Sequence, residues 1–279
     1  MTCPADLHTH TTASDGQYTP SQLAAKALAA GIQILAVTDH DTMDGTEEAV
    51  RAGQACGLTV LRGVELGARE DRHMHILGLN LGPECPALAE LCRRLRASRE
   101  ERKYRIAAFL RGKGLDVPLE EVEALAGGVV ARPHFARVML RRGYVSSLRE
   151  AFDRYLDTDE YQRIERWKAG APECIAAIHD AGGKAVLAHP CQLGCSHGRL
   201  EEILRALKDA GLDGIECFYP RHSPEQTAAY LRLADKYGLY ITGGSDFHGE
   251  AVRPDTFLTP IPLNLNWLGT FQNAQLVPN

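Results

Sequence analysis

The chain has 279 residues, 44% of them apolar and 24% charged, and a formal net charge of −5. That is room for one large α/β barrel or two ordinary domains with a sizeable core. The acidic balance argues against a general polyanion binder, and no uninterrupted apolar run of about eighteen residues or basic leader points to a membrane span or a secretion signal.

In chain order, ADLHTH (5–10) reads as a strand, because its side chains alternate with period two and put His8 and His10 on one face. Ser14-Asp15-Gly16 is a turn signal. A helix pattern over 20–30 opens at Pro20 and stops at Gly31, followed by the strand ILAVTDH (34–40) and a helix over 43–56 stopped by Gly57. LTVLRGVEL (58–66) and HMHILGLNL (73–81) are the next strands. After a gap come a helix over 172–181, KAVLAHP (184–190), a helix over 199–210, GIECFY (214–219), a helix over 224–237 and LYITGGSDFH (239–248). Seven strands with helices between most of them predict a largely parallel α/β sheet.

The gap reads differently. Helical patterns at 84–112, 118–126, 132–142 and 147–156 contain no convincing strand. Residues 93–168 carry 18 basic and 12 acidic residues, a local +6 inside a protein whose remainder is −11. We therefore expect a barrel formed discontinuously by 1–82 and 169–279, and a basic helical insertion, 83–168, covering its active site. The eight cysteines contain no CxxC pair, and Cys191 and Cys195 lack the second pair that a zinc site would need. They read as reduced thiols of a cytoplasmic protein. The Pro-, Leu- and Asn-rich C-terminal tail carries no functional signal.

Metal-ligand residue types recur at the expected strand ends. His8, His10 and Asp15 open the series, and His40 ends the second strand in TDHD. Glu65 lies in GVELG, His75 in HMHILG, His189 ends AVLAHP, and Asp246 and His248 lie in GGSDFH. Loops at the C-terminal ends of barrel strands converge on one face. Nine donors exceed the needs of one ion, so the count implies two or three divalent ions. Nitrogen and oxygen donors without thiolate suit Mn²⁺, Fe²⁺ or Zn²⁺. Asp6 and Asp39, beside ligand candidates, read as carboxylates that orient imidazoles. His73, His179 and His197 lack such placement and read as surface or packing residues.

The segments DLHTHTTASDG, AVTDHDTMDG, LRGVEL, AHP and GGSDFHG resemble the PHP (polymerase and histidinol phosphatase) family over nearly the whole chain. ARPHFARVM together with AGGKAVLAHP and GIECFYPRHS is similar to its branch of small nucleotide phosphoesterases. The resemblance implies a distorted (β/α)7 barrel with a helical insertion domain and a trinuclear site, most readily of Mn²⁺. It implies one metal on His8, His10, Glu65 and Asp246, a second sharing Glu65 with His75 and His189, and a third on Asp15, His40 and His248. Many members have His where this chain has Asp15, and a carboxylate there still ligates. Glu65, Asp246 and His248 are the residues assigned to the reacting centre.

Clustered divalent ions activate water and neutralise phosphoryl charge, and the chain has neither a P-loop nor a G-x-S-x-G elbow. Hydrolysis by metal-bound hydroxide is the economical reading. Arg132 and His134 at a helix start, Lys168 at the return from the insertion, and Arg221, His222 and Ser223 after the sixth strand are the candidate substrate-binding residues. The resemblance points to a small nucleotide substrate, a nucleoside 3′,5′-bisphosphate losing its 3′-phosphate. The alternative is a 5′→3′ exonuclease on short RNA or DNA, which predicts aromatic stacking platforms; Tyr104, Phe135, Tyr144 and Trp167 are too few and irregular to decide. A histidinol-phosphate phosphatase is disfavoured by the insertion, and a non-catalytic metal-binding regulator by the full donor set. Neither a membrane nor a protein partner is implied.

Overall fold

Alternating side chains in CPADLHT form strand β1 (Cys3–Thr9), whose register with its neighbour shifts between Asp6 and Thr9. Such an irregularity re-aims side chains, here at the end of the strand that carries the histidines. Helix α1 (Pro20–Ala29) starts at Thr19, whose hydroxyl accepts from the Gln22 N–H while the Gln22 side chain accepts from the Thr19 N–H. β2 (Ile34–Val37), α2 (Thr46–Cys56), β3 (Thr59–Gly67) and β4 (His75–Leu79) follow. Then come α3 (Pro86–Gly112), α4 (Leu119–Ala126), α5 (Arg132–Arg141), α6 (Leu148–Ala151), a π-helical turn (Phe152–Leu156) and α7 (Asp159–Gln162). The chain continues through α8 (Ala171–Asp180), β5 (Lys184–Leu187), α9 (His197–Asp209), β6 (Gly214–Phe218), α10 (Pro224–Tyr237), β7 (Tyr240–Gly243) and β8 (Ile261–Leu263).

This computed structural model describes residues 2–126, 130–164 and 166–268; the C-terminal tail beyond 268 lies outside them. The chain divides into two compact units, Met1–Cys92 with Ala169–Asn279, and Arg93–Lys168. The first holds one mixed sheet in the order β7-β6-β5-β4-β3-β2-β1-β8. β1, β2 and β3 run parallel, as do β5, β6 and β7, while β4 is antiparallel to both its neighbours. All seven expected strands are present. Two features correct the sequence reading: the reversal of β4, and the eighth strand β8, which pairs antiparallel with β1. IPL is only three residues long and contains Pro262, so it offers no alternation to read.

The sheet curls into a nearly closed barrel because the segment after β7 bonds back to β1. Asp246 N–H donates to His8 O at 2.8 Å, and His10 N–H donates to Phe247 O at 2.9 Å. Gly244 lies so near His8 that only a residue without a side chain fits there. The barrel core gathers Ala5, Leu7, Ala36, Leu61, Leu77, Leu79, Val186 and Ala188, while Leu23, Ala27, Leu35, Val37, Ala49 and Val60 pack α1 and α2 onto the sheet. Burial of each large aliphatic side chain contributes about 1.5–3 kcal/mol.

The second unit is helical. Leu110, Phe135, Val138, Met139 and Tyr161 form its buried centre. Its ion pairs include Lys103 with Glu100 and Glu123, and Arg142 with Glu121 and Asp116. Among the described residues no helix is long and apolar enough to cross a membrane.

Candidate metal centre

Each donor arrives from a defined place in the barrel unit. β1 delivers His8 and, just past its end, His10; the following turn carries Asp15. His40 follows β2, and Glu65 lies two residues before the end of β3. His75 is the first residue of β4, paired with Gly67, the last of β3, so the reversed strand brings its beginning to the end where β3 finishes. His189 follows β5 and Asp246 follows β7, both in the left-handed region at φ +26° and +54°. Side chains other than glycine rarely hold that conformation, and such strain collects at functional sites.

Glu65 is the hub. Its Oε1 lies 2.6 Å from His75 Nδ1, 3.0 Å from His189 Nε2 and 3.4 Å from His8 Nε2. Its Oε2 lies 2.8 Å from His40 Nδ1 and 3.3 Å from His10 Nε2. Asp246 Oδ1 is 3.3 Å from His10 Nε2, 3.4 Å from His248 Nδ1 and 3.6 Å from His8 Nε2. Asp15 stands 3.3 Å from His248 Nε2 and 4.0 Å from His40 Nε2. Three groups of donor atoms lie within 4.8 Å of one another: His8, His10, Glu65 and Asp246; His10, Asp15, His40 and His248; and His40, Glu65 and His75.

The residues fit divalent ions. His8 Nε2, both nitrogens of His10, His40 Nδ1, His248 Nε2 and Glu65 Oε2 are buried without a hydrogen-bond partner. Buried polar atoms are seldom left so, and here they converge on one another. His8 Nδ1–H donates to Glu216 Oε1 at 3.2 Å and His248 Nδ1–H to the Asp246 carbonyl at 2.9 Å, which leaves each Nε2 bare and facing the cluster. Burial pushes the Glu65 carboxyl up, yet His40, His75 and His8 around it hold it well below the usual carboxylate range. Asp246 is likewise held low, against burial, by Arg253, His8 and His248, and Asp15 by His248 and His40. Burial depresses His75 to about 3 and, with Arg253 and His10 nearby, His248 to about 4. His8 and His10 shift the other way: against burial, Glu216, Glu65 and Asp246 hold His8 well above the usual imidazole range, and Asp246 and Glu65 raise His10 to about 9. Ionised carboxylates and neutral imidazoles are the forms that bind metal, so an ion entering here would displace protons from these two rings.

Four residues of the centre escaped the sequence reading. Glu216, fully buried on β6, bonds to His8 Nδ1 and also accepts the His189 N–H at 2.6 Å. Its signal was a carboxylate inside the otherwise apolar GIECF. Arg253 and the Tyr219 hydroxyl both bond to Asp246 Oδ2, and Gln192 donates to Tyr219 Oη at 2.8 Å. Asp6 and Asp39, read as imidazole partners, instead tie backbone together. Asp6 accepts from Ser245 and Thr259 N–H, while Asp39 accepts from the Thr11 N–H and hydroxyl and the Ser14 hydroxyl. Glu216→Gln should weaken ion binding roughly ten- to a hundredfold, the usual effect of losing a ligand's outer partner, as read by competition with a chelator.

The residues expected to meet substrate fall into both units. In the barrel unit, Arg221 is exposed and its charge acts on Tyr219 and Cys191. His222 bonds through Nδ1 to Cys217 O and lies edge-on to Tyr219. Ser223 is spent locally, capping α10 through Gln226 N–H and donating to Glu225. In the helical unit, Arg132 pairs with Asp157 and stands over the Phe152 ring, and His134 accepts the Ala131 N–H at the start of α5. Lys168 is the last residue of that unit.

Comparison with known proteins gives the same direction. The family described as PHP domain matches residues 6–242. The chain is 36% identical over 249 residues to a 5′-3′ exoribonuclease of Haemophilus influenzae, covering 89% of this chain and 91% of that one. It is 34% identical over 253 residues to a 3′,5′-nucleoside bisphosphate phosphatase of Chromobacterium violaceum, covering 89% of each. Its fold is similar to the crystal structure of a putative metal-dependent phosphoesterase from Bifidobacterium adolescentis, with a TM-score of 0.83, 29% identity and coverage of 98% and 97%.

Proposed function

The chain belongs to the PHP domain family, and we propose that it is a metal-dependent phosphoesterase that removes the 3′-phosphate of nucleoside 3′,5′-bisphosphates, such as adenosine 3′,5′-bisphosphate. The products are the 5′-monophosphate and phosphate. The observation that carries this is the Glu65 carboxylate, buried and facing five imidazoles at 2.6–3.4 Å. One carboxylate shared by so many imidazoles suits a bridge between cations. On this reading His8, His10, Glu65 and Asp246 hold one ion, Glu65, His75 and His189 a second, and Asp15, His40 and His248 a third, with Mn²⁺ the favoured metal. Bound there, the ions would supply a water of lowered pKa and neutralise charge on the phosphoryl oxygens.

The protein's own residues do the rest. Glu216 fixes the His8 ring and the strained backbone at His189, and Tyr219 and Arg253 hold Asp246 so that Oδ1 faces the histidines. Arg221 and His222 adjoin Tyr219 and, on this reading, would meet the anionic nucleotide. All eight cysteines are free thiols, which supports a reducing, cytoplasmic setting. The second reading, a 5′→3′ exoribonuclease, is supported by the Haemophilus influenzae relative. Phosphate release from adenosine 3′,5′-bisphosphate, a 5′-phosphorylated oligoribonucleotide and histidinol phosphate, with and without Mn²⁺, tests the choice. We expect the bisphosphate to turn over fastest and only with metal. Nucleotide release from the oligomer with none from the bisphosphate would move the assignment to the exoribonuclease.

A further inference from the structure

Beyond Asp246 and His248 the chain turns sharply. The N–H groups of Val252 and Arg253 both donate to Gly249 O, at 3.0 and 2.8 Å, which folds the Arg253 side chain back over Asp246. One terminal nitrogen, Nη1, bonds to Asp246 Oδ2 and reaches the Asp246 carbonyl at 3.4 Å. Among the described residues, Nε and Nη2 make no hydrogen bond. The side chain is 31% exposed while that of Asp246 is 3% exposed, so Arg253 links a buried ligand candidate to the rim of the centre. Its charge acts on Asp15 as well as Asp246, carboxylates from two of the donor groups.

Holding Asp246 does not require this much. The Tyr219 hydroxyl already donates to the same Oδ2 at 3.2 Å and is itself braced by Gln192. Arg253 adds a planar fork fixed at one corner, with three N–H donors unspent at the edge of the metal cluster. A guanidinium so anchored loses little freedom when it meets an oxyanion, and charge-assisted bonds to phosphate oxygens are among the strongest available. We propose that Arg253 binds the phosphoryl group of the substrate, its open Nε and Nη2 edge gripping phosphoryl oxygens while Nη1 stays on Asp246. This rests on the phosphoesterase reading above.

Binding of inorganic phosphate to the Mn²⁺-saturated protein, followed by calorimetry, tests it without turnover. Arg253→Ala should weaken phosphate binding about ten- to a hundredfold. Arg253→Lys, which keeps the charge but loses the fork, should recover only part. Arg199→Ala, which removes an exposed arginine of α9 paired with Glu202, should leave phosphate affinity unchanged. If Arg253→Ala and Arg253→Lys both bind phosphate like wild type and lose only Mn²⁺ affinity, Arg253 merely holds Asp246 and the proposal falls. Failure of the wild-type protein to hydrolyse any phosphoester would sink the phosphoesterase reading instead, and is recorded separately from phosphate binding.

Discussion

Glu65→Ala should leave the protein folded but with fewer divalent ions per chain, and with kcat/KM reduced more than by removal of any single histidine. The carboxylate is the shared neighbour of His8, His10, His40, His75 and His189. Deleting one imidazole costs one donor; on the proposed bridge, deleting Glu65 would strip two ions of a common ligand and leave five imidazoles without the carboxylate they share. Losing an outer partner of a ligand costs roughly ten- to a hundredfold, so a shared inner ligand should cost more than about a hundredfold. Elemental analysis after Mn²⁺ loading, beside kinetics for Glu65→Ala and His40→Ala, checks both halves. Full ion content in Glu65→Ala would remove the bridge from the account.

Gly244→Ala should damage stability as strongly as a single methyl group can. A Cβ at this position would lie 2.3 Å from His8 Cβ, 2.6 Å from its N and 2.9 Å from its Cα. No rotamer relieves a clash with backbone, and the chain is held there by the Asp246 N–H donating to His8 O and the His10 N–H donating to Phe247 O. Overpacking costs typically about 1–3 kcal/mol, and we expect the upper end. For a chain of this size that is a fall in Tm of roughly 2–4 °C per kcal/mol. Gly198→Ala on α9, where a Cβ would meet nothing within 4 Å, is the control and should cost nothing. Equal melting temperatures for the two variants would mean that the seam between β1 and the segment after β7 yields easily.

These contrasts show what the sequence could and could not say. Ligand types at strand ends were legible because period-two alternation marks a strand and the helix pattern after it marks where the strand has ended, without any tertiary information. Direction was not legible. HMHILGLNL alternates identically whichever way it runs, so the reversal of β4, which alone explains how His75 at a strand's beginning joins residues at strands' ends, needed the neighbouring strands. Glu216 hid because an apolar run with one carboxylate reads as an imperfect buried strand. Asp39 stood next to His40 in sequence and Asp6 two residues before His8, but sequence spacing does not show which donors a carboxylate meets, and both turned to backbone N–H groups instead. Arg253 gave no pattern at all; it reaches Asp246 through a turn set by hydrogen bonds to Gly249.

The closure of β1 against residues 244–247 also dictates when the centre can exist during the protein's manufacture. A ribosome emits His8 and His10 more than two hundred residues before Asp246 and His248. At about 5–20 residues per second, the first imidazoles are in the cell for some ten seconds or more before their partners appear. Until then the two groups that need Asp246 or His248 are incomplete, and contacts so distant in sequence are slow to form. The donor groups that include Asp246 or His248 are therefore completed only once that segment has been made, whereas His40, Glu65 and His75 are all present early.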